Sequence, residues 1–256
     1  MNIKTLLKYI LLSLVQGFTE PLPISSSGHM IITRNLLNID NQDLTLEIFL
    51  NFASMLAIFI YMFTKRIHLK VILKNPNLIT KLIIASIPCI IIGILFKDKI
   101  EQISISSKFI GITLLITTIL LFLSSLNFPK CSIDSITNID SLKLGIAQSI
   151  ALVPGISRMG TVLSTGIFLK LNIRTILDFS FLMYLIVSIG SFILTIPNLF
   201  LINSSLLLYY FISFIVTFIF TYFSINWFYN IINKKSLMGF SIYTLILGII
   251  LIILGK

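Results

Sequence analysis

The chain is 256 residues long, 57% hydrophobic and only 11% charged. Soluble domains carry about 25% charged residues, so this composition excludes a soluble globular protein and describes a chain folded inside a bilayer. The net charge of +10 does not point to nucleic acid: the basic residues sit mainly in connectors between apolar runs, where topology and lipid headgroups account for them, and no interleaved basic–aromatic patch exists. Of the two cysteines, Cys89 lies in an apolar run and Cys131 in a polar connector. They form neither a disulfide framework nor a metal cluster. Lys4 and Lys8 precede an apolar stretch as in a signal peptide, but Glu20-Pro21 stands where a small-residue cleavage site would be. The segment is therefore expected to stay in the mature protein.

Residues 4–19 form a first apolar helix, which Pro21 and Pro23 should end by removing backbone donors. A second short apolar helix is expected over 24–37, ending near Arg34 and Asn38. Neither piece reaches the roughly 20 residues that a bilayer crossing needs, so the pair reads as a re-entrant hairpin. Full spans follow at 45–64, at 78–96 with Pro88 as a kink, and at 106–126. A polar connector, 127–141, holds Pro129, Asp134 and Asp140. Residues 142–153 are again too short to cross, run into Pro-Gly-Ile-Ser-Arg-Met-Gly at 154–160, and continue as a short helix over 161–171. No charge occurs from Phe179 to Asn233, which divides near Pro197 and Asn203-Ser204-Ser205 into spans 179–197 and 206–229, and a last span covers 237–255.

The two broken segments resemble each other. Pro23-Ile24-Ser25-Ser26 has the form of Pro154-Gly155-Ile156-Ser157, a glutamine precedes each (Gln16 and Gln148), and three full spans follow each. The expected fold is an all-α polytopic membrane protein, one membrane domain over 1–256, with about six full spans and two re-entrant helix pairs. It divides into an inverted repeat of about 1–126 and 142–256. Interrupted apolar segments at matching positions point to a site at the membrane midplane. Lys65, Arg66, Lys70, Lys74 and Lys81 make the 65–81 connector cytoplasmic, with Lys234 and Lys235 on the same side. Both termini and the mouth of the first hairpin then face outward. Lys97, Lys99 and Lys108 would also lie outside, against the rule, and Asp98 and Glu101 offset this little.

Charge concentrates at the two breaks. Glu20 is the only carboxylate and His29 the only imidazole between Ile10 and Thr33, and Arg158 is the only charge between Leu144 and Leu169. Charge at membrane depth is expensive and asks for a function. Gln16 and Glu20 share a helix face, as do Ser26 and His29 if the segment after Pro23 is helical. A serine within reach of a histidine is an activated-nucleophile arrangement. Backbone amides at a new helix start, with Ser25, Ser26, Ser27 and Ser157, can hold phosphate oxygens. Arg158 can clamp them in two-pronged fashion. Plainer alternatives exist for each: a structural Glu20–Arg158 bridge, a satisfied interior His29, and serines that only allow close helix packing. Glu47 is either interfacial or cavity-lining, and His68 is solvated. Together the groups describe a phosphate-handling pocket for a lipid phosphate or diphosphate. Glu20 could hold Mg²⁺ or Ca²⁺ through the diphosphate.

These motifs resemble those of the integral-membrane undecaprenyl-diphosphate phosphatases of the bacitracin-resistance type. The pattern [E/Q]-x-x-x-E followed by L-P-x-S-S-x-G-H is matched by Gln16–Glu20 and Leu22–His29, and P-G-x-S-R-S-G-x-T by Pro154–Val162. The departures are Met159 for a serine, Val162 for a threonine (with Thr161 one position early), Asn51 and Ala53 where glutamine and glycine are usual, and Pro21 for a phenylalanine. The resemblance implies removal of the terminal phosphate of undecaprenyl diphosphate. The products are undecaprenyl phosphate and inorganic phosphate, and the lipid carrier is recycled for peptidoglycan synthesis. It also implies a plasma-membrane location, an outward-facing site and a divalent cation. In the expected mechanism Arg158 and backbone amides hold the diphosphate. Ser26 attacks with His29 or Glu20 relaying its proton, and Glu20, with Gln16, positions the metal. Attack by His29 or directly by water stays open. A transporter or flippase of polyprenyl phosphates is the rival from another class, and a phosphatase of another lipid, such as phosphatidylglycerol phosphate, is a third reading. The expected partners are the polyprenyl diphosphate, membrane lipids and, left open, a second copy of the chain in a homodimer.

Overall fold

The computed structural model describes residues 3–39, 44–66, 76–103, 106–128, 135–199 and 206–255. Its regular elements are helices: α1 Ile3–Thr19, α2 Ser26–Leu37, α3 Leu44–Tyr61 (continued by one π-helical turn, Met62–Arg66), α4 Pro76–Ile103, α5 Ser107–Leu126, α6 Asn138–Ile150, α7 Arg158–Phe168, α8 Ile173–Leu199, α9 Leu207–Ile231 and α10 Lys234–Leu254. Lys70, Lys74 and His68 of the basic connector, Pro129, Cys131 and Asp134, and the turn at 203–205 lie outside the described residues.

Among the described residues α4, α5, α8, α9 and α10 are long and apolar enough to cross a bilayer. The chain is a polytopic α-helical membrane protein. The sixth expected span, α3, has 18 residues. It runs beside α9 from the Phe49–Tyr210 ring contact to the Tyr61–Tyr229 stack. At about 1.5 Å per residue its 18 residues extend roughly 27 Å, slightly less than the hydrocarbon thickness of about 30 Å.

The ends differ from expectation where local chemistry overrides hydropathy. α6 starts at Asn138 rather than 142, because Thr137 and Asp140 form a reciprocal capping box that satisfies free amides of the first turn. α8 starts at Ile173 rather than 179 and so takes Asp178 into the helix, where Arg66 holds both carboxylate oxygens at 3.1 and 3.3 Å and Tyr229 donates at 2.7 Å. α4 continues past Phe96 to Ile103, and Pro88 lies inside it without ending it.

The interior is an apolar core, as in a soluble protein, but the outer surface is apolar too. Large apolar side chains such as Ile83, Ile87, Ile91, Phe223 and Ile246 point outward, while Ser54, Thr117, Thr118, Ser213, Thr221 and Thr244 are buried. Lipid replaces water as the surrounding medium, so helices associate through small residues and hydroxyl bonds. α1 lies along α9, α6 along α4, and α5 along α10. α5 and α10 cross at two glycines: a Cβ on Gly111 would come 2.8 Å from the Gly248 carbonyl oxygen, and one on Gly248 would come 3.0 Å from that of Gly111. Beyond this crossing the hydroxyls of Thr118 and Thr244 bond at 2.8 Å.

The starts of α1, α5 and α9 and the ends of α2 and α10 share one end of the bundle. Lys8 reaches the Asn38 carbonyl, Asn35 bonds Ser107, Gly255 abuts Ser107, and Tyr9 stacks on Tyr210. The α1–α2 and α6–α7 hairpins meet in the interior at their breaks. There a Cβ on Gly28 would touch the Gly155 backbone and one on Gly160 the Pro23 carbonyl, each at 3.4 Å.

Candidate active site

The first break is shaped by its prolines and by one unusual residue. After Thr19 the chain turns through Glu20–Ile24, and Ser25 adopts φ 68°, ψ 93°, a region that non-glycine residues rarely occupy. Ser25 then caps α2, its Oγ accepting the Gly28 amide at 3.2 Å. This turn carries Ser26, the first residue of α2, back over α1. Ser26 Oγ donates to Glu20 Oε2 at 2.6 Å. Gln16, one turn earlier on α1, donates its Nε2 to the same oxygen at 2.9 Å and to Asn51 Oδ1 at 2.9 Å.

The second break uses the same cap. Ser157 Oγ accepts the Gly160 amide at 3.0 Å, and Arg158 is the first residue of α7. The caps therefore match Ser25 with Ser157, and Ser26 with Arg158. The tetrapeptide comparison had instead aligned Ser26 with Ser157. α5 holds this break in place: Thr117 Oγ1 accepts the Ser157 amide at 3.0 Å and donates to the Gly155 carbonyl at 3.4 Å. Gly155 sits at φ +89°, a conformation that favours glycine, and a Cβ there would collide with the Thr113 hydroxyl of α5.

The two breaks join at Glu20. Arg158 Nη2 donates to Glu20 Oε1 at 3.1 Å, and the guanidinium lies 3.9 Å above the Tyr184 ring. Glu20 is only 8% exposed. A buried pair of this kind is retained only with further bonds to its charges. Glu20 has them from Ser26 and Gln16, whereas Arg158 Nη1 is buried with no partner. A free donor at a buried cation is a place for a ligand oxygen.

These groups border a cavity of about 340 Å³. Glu20, Ser25, Ser26, Ser27, Ser157 and Arg158 are on its wall; Gln16 stands behind Glu20, and His29 is not on the wall. His29 Nδ1 bonds the Ser25 carbonyl at 2.7 Å, Nε2 bonds the Tyr243 hydroxyl at 2.7 Å, and the two rings stack. The helical spacing expected to pair Ser26 with His29 is present. The serine's bond nevertheless goes to Glu20, because position one of a helix points back toward the preceding turn. Glu47 pairs with Arg34 at 3.1 Å and does not border the cavity. Tyr184, Thr117 and Tyr243 were not anticipated. Each lies in an apolar span with no local motif, and only the fold brings them to the breaks. Asp178 was also missed, although a lone acid at the edge of a long apolar run was a usable signal.

No group of three or more His, Cys, Asp or Glu side chains exists among the described residues. A cage made by the protein alone is therefore absent from them. A hard cation that takes one or two carboxylates and completes its shell from substrate phosphates and water fits this donor set. Glu20 supplies the carboxylate, and Asn51 Oδ1 accepts from the same Gln16 Nε2 that bonds Glu20.

The fold and site define a multi-pass membrane protein with a buried carboxylate–serine–arginine centre built across two broken helices. The chain belongs to the family of the bacitracin resistance protein BacA, whose model matches residues 9–250. It is 39% identical to an undecaprenyl-diphosphatase of Oceanobacillus iheyensis, over 98% of both chains. Its identity to undecaprenyl-diphosphatase 2 of Bacillus thuringiensis is 38% over 97% of both, and to undecaprenyl-diphosphatase 1 of Halalkalibacterium halodurans 37% over 96% of this chain and 95% of that one.

Proposed function

We propose that the protein hydrolyses undecaprenyl diphosphate to undecaprenyl phosphate and inorganic phosphate, returning the lipid carrier to cell-wall synthesis. One observation carries the chemistry: Glu20 bonds the Ser26 hydroxyl and the Arg158 guanidinium at once. A nucleophile, a proton acceptor and a cation are thereby held within one buried cavity. Family membership and the names of the relatives support the substrate.

In the proposed reaction Arg158 and the first amides of α2 and α7 bind the diphosphate. Ser26 Oγ attacks the terminal phosphorus as its proton passes to Glu20 Oε2. The new Oγ–P bond forms while the bond from phosphorus to the bridging oxygen breaks, and undecaprenyl phosphate leaves. Glu20 hands that proton to the departing phosphate oxygen. Water then attacks the phosphoserine, Glu20 takes a proton from the water, and that proton passes to Ser26 Oγ as the Oγ–P bond breaks and inorganic phosphate is released. Glu20 is favoured over His29 as the proton acceptor because both imidazole nitrogens are engaged elsewhere. A bound Mg²⁺ or Ca²⁺ would neutralise phosphate charge, with Glu20 as its protein ligand. Gln16 orients that carboxylate. Ser25, Ser27 and Ser157 shape the amide cradle.

The proposal includes the inverted repeat. Ser25 and Ser157 cap in the same way, and α1–α9 packing is answered by α6–α4. It also places the cavity mouth toward the outer face, on the strength of the basic 65–81 connector. It extends to a homodimer in the bilayer, for which cross-linking in native membranes is the test.

Purified protein in detergent should release phosphate from a polyprenyl diphosphate, and a chelator should suppress the release. Lipid movement across vesicles without any phosphate release would favour the transporter reading instead. Preference for phosphatidylglycerol phosphate in competition would change the substrate.

A further inference from the structure

Gln148 has no role in the mechanism above, yet its surroundings are unusual. It lies on the last turn of α6, is 1% exposed, and borders the cavity. Neither its Nε2 nor its Oε1 has a hydrogen-bond partner. The Cys89 thiol beside it is a weak hydrogen-bonding group that does not satisfy a primary amide. A buried amide left unpaired costs about 1–3 kcal/mol of desolvation, so its presence calls for a ligand or an explanation. Gln16 provides the control. It stands at the corresponding place before the first break, and its amide is engaged with Glu20 and Asn51. Leu152 occupies the position that corresponds to Glu20, so Gln148 has no carboxylate to hold.

A second unpaired donor among the cavity-lining residues is Arg158 Nη1. Gln148, Arg158 and Cys89 all lie on the wall of the same cavity.

We infer that Gln148 is a substrate-positioning residue whose Nε2 donates to the diphosphate of the lipid beside Arg158 Nη1. This rests on the hydrolase reading of the same cavity. Gln148 binds the anion and takes no part in proton transfer.

The test uses full-length protein in detergent and a non-hydrolysable farnesyl methylenediphosphonate. Calorimetry reads binding, and the melting midpoint without ligand reads stability. Gln148→Leu should weaken binding about 10- to 100-fold, the range expected for a hydrogen bond to a charged group. It should leave the ligand-free midpoint unchanged or raised, because an unsatisfied polar group has been removed from the interior. A structural glutamine would give the opposite pair: a lowered midpoint and unchanged affinity per folded molecule. Gln148→Glu keeps the shape and guards against misfolding of the leucine variant; it should bind the diphosphonate more weakly still. Unchanged affinity in both variants, with wild-type protein binding normally, overturns this inference alone. Failure of the wild type to bind the diphosphonate overturns the hydrolase reading and this inference with it.

Discussion

The two breaks share a backbone device and differ in what they carry. Each ends a short helix, turns past a proline, and restarts under a serine cap whose oxygen takes the amide of a glycine three residues on. At the first helical position one presents Ser26 and the other Arg158. At the start of the first break Glu20 is bonded to Gln16, Ser26 and Arg158, and the matching place in the second is apolar Leu152. The difference teaches that a common scaffold has been divided between two tasks. In the proposed reaction the first half holds the nucleophile and its base, and the second holds the anion. Neither half is a site alone: Glu20 without Arg158 would be a buried carboxylate with no counter-charge, a state costing several kcal/mol.

The sharpest way to break the comparison is to remove the chemistry of the first half. Glu20→Gln should lower phosphate release about 10²–10⁴-fold, the usual contribution of a positioned base. Ser26→Ala should lower it at least as far. Near-normal turnover of Glu20→Gln in a phosphate-release assay would mean that Glu20 is only a structural partner of Arg158, and near-normal turnover of Ser26→Ala that Ser26 is not the nucleophile. The second half is best probed through its backbone. Gly155→Ala puts a Cβ 1.9 Å from Thr113 Oγ1 at a φ of +89°, and should cost about 2–4 kcal/mol, seen as a lower melting midpoint. A fourth variant, Gln16→Leu, removes a donor to Glu20 and should reduce kcat/KM roughly tenfold, without the loss seen for Ser26→Ala. The smallest effect is expected for Tyr243→Phe. It frees His29 Nε2 from its partner and should leave kcat/KM within about threefold; a loss like that of Glu20→Gln would return the proton-transfer role to His29.

Much of this was legible in the chain because membrane depth makes charge conspicuous. Glu20, His29 and Arg158 stood out against apolar surroundings, and the prolines and glycines marked both breaks. The partner of Ser26 was not legible. Helical spacing pointed from Ser26 to His29, but the positive φ of Ser25 turns the serine toward Glu20. That φ has no sequence signal in a non-glycine residue. Tyr184 under Arg158 was hidden for another reason, since an aromatic residue in an apolar span reads as lipid-facing or core until the fold places a cation above it. The match between the halves was seen, but one residue out of step, because Pro-x-x-Ser was aligned on the prolines while the caps align on Ser-x-x-Gly.

The central claim is that Ser26, activated by Glu20, receives the phosphoryl group. It is tested most directly by reacting the protein with polyprenyl diphosphate labelled in the terminal phosphate, quenching in acid and in base, and mapping the label. The account predicts an acid-stable label on the peptide containing Ser26, absent from Ser26→Ala. An acid-labile, base-stable label on His29, or sustained turnover with no covalent label at any quench time, would contradict it.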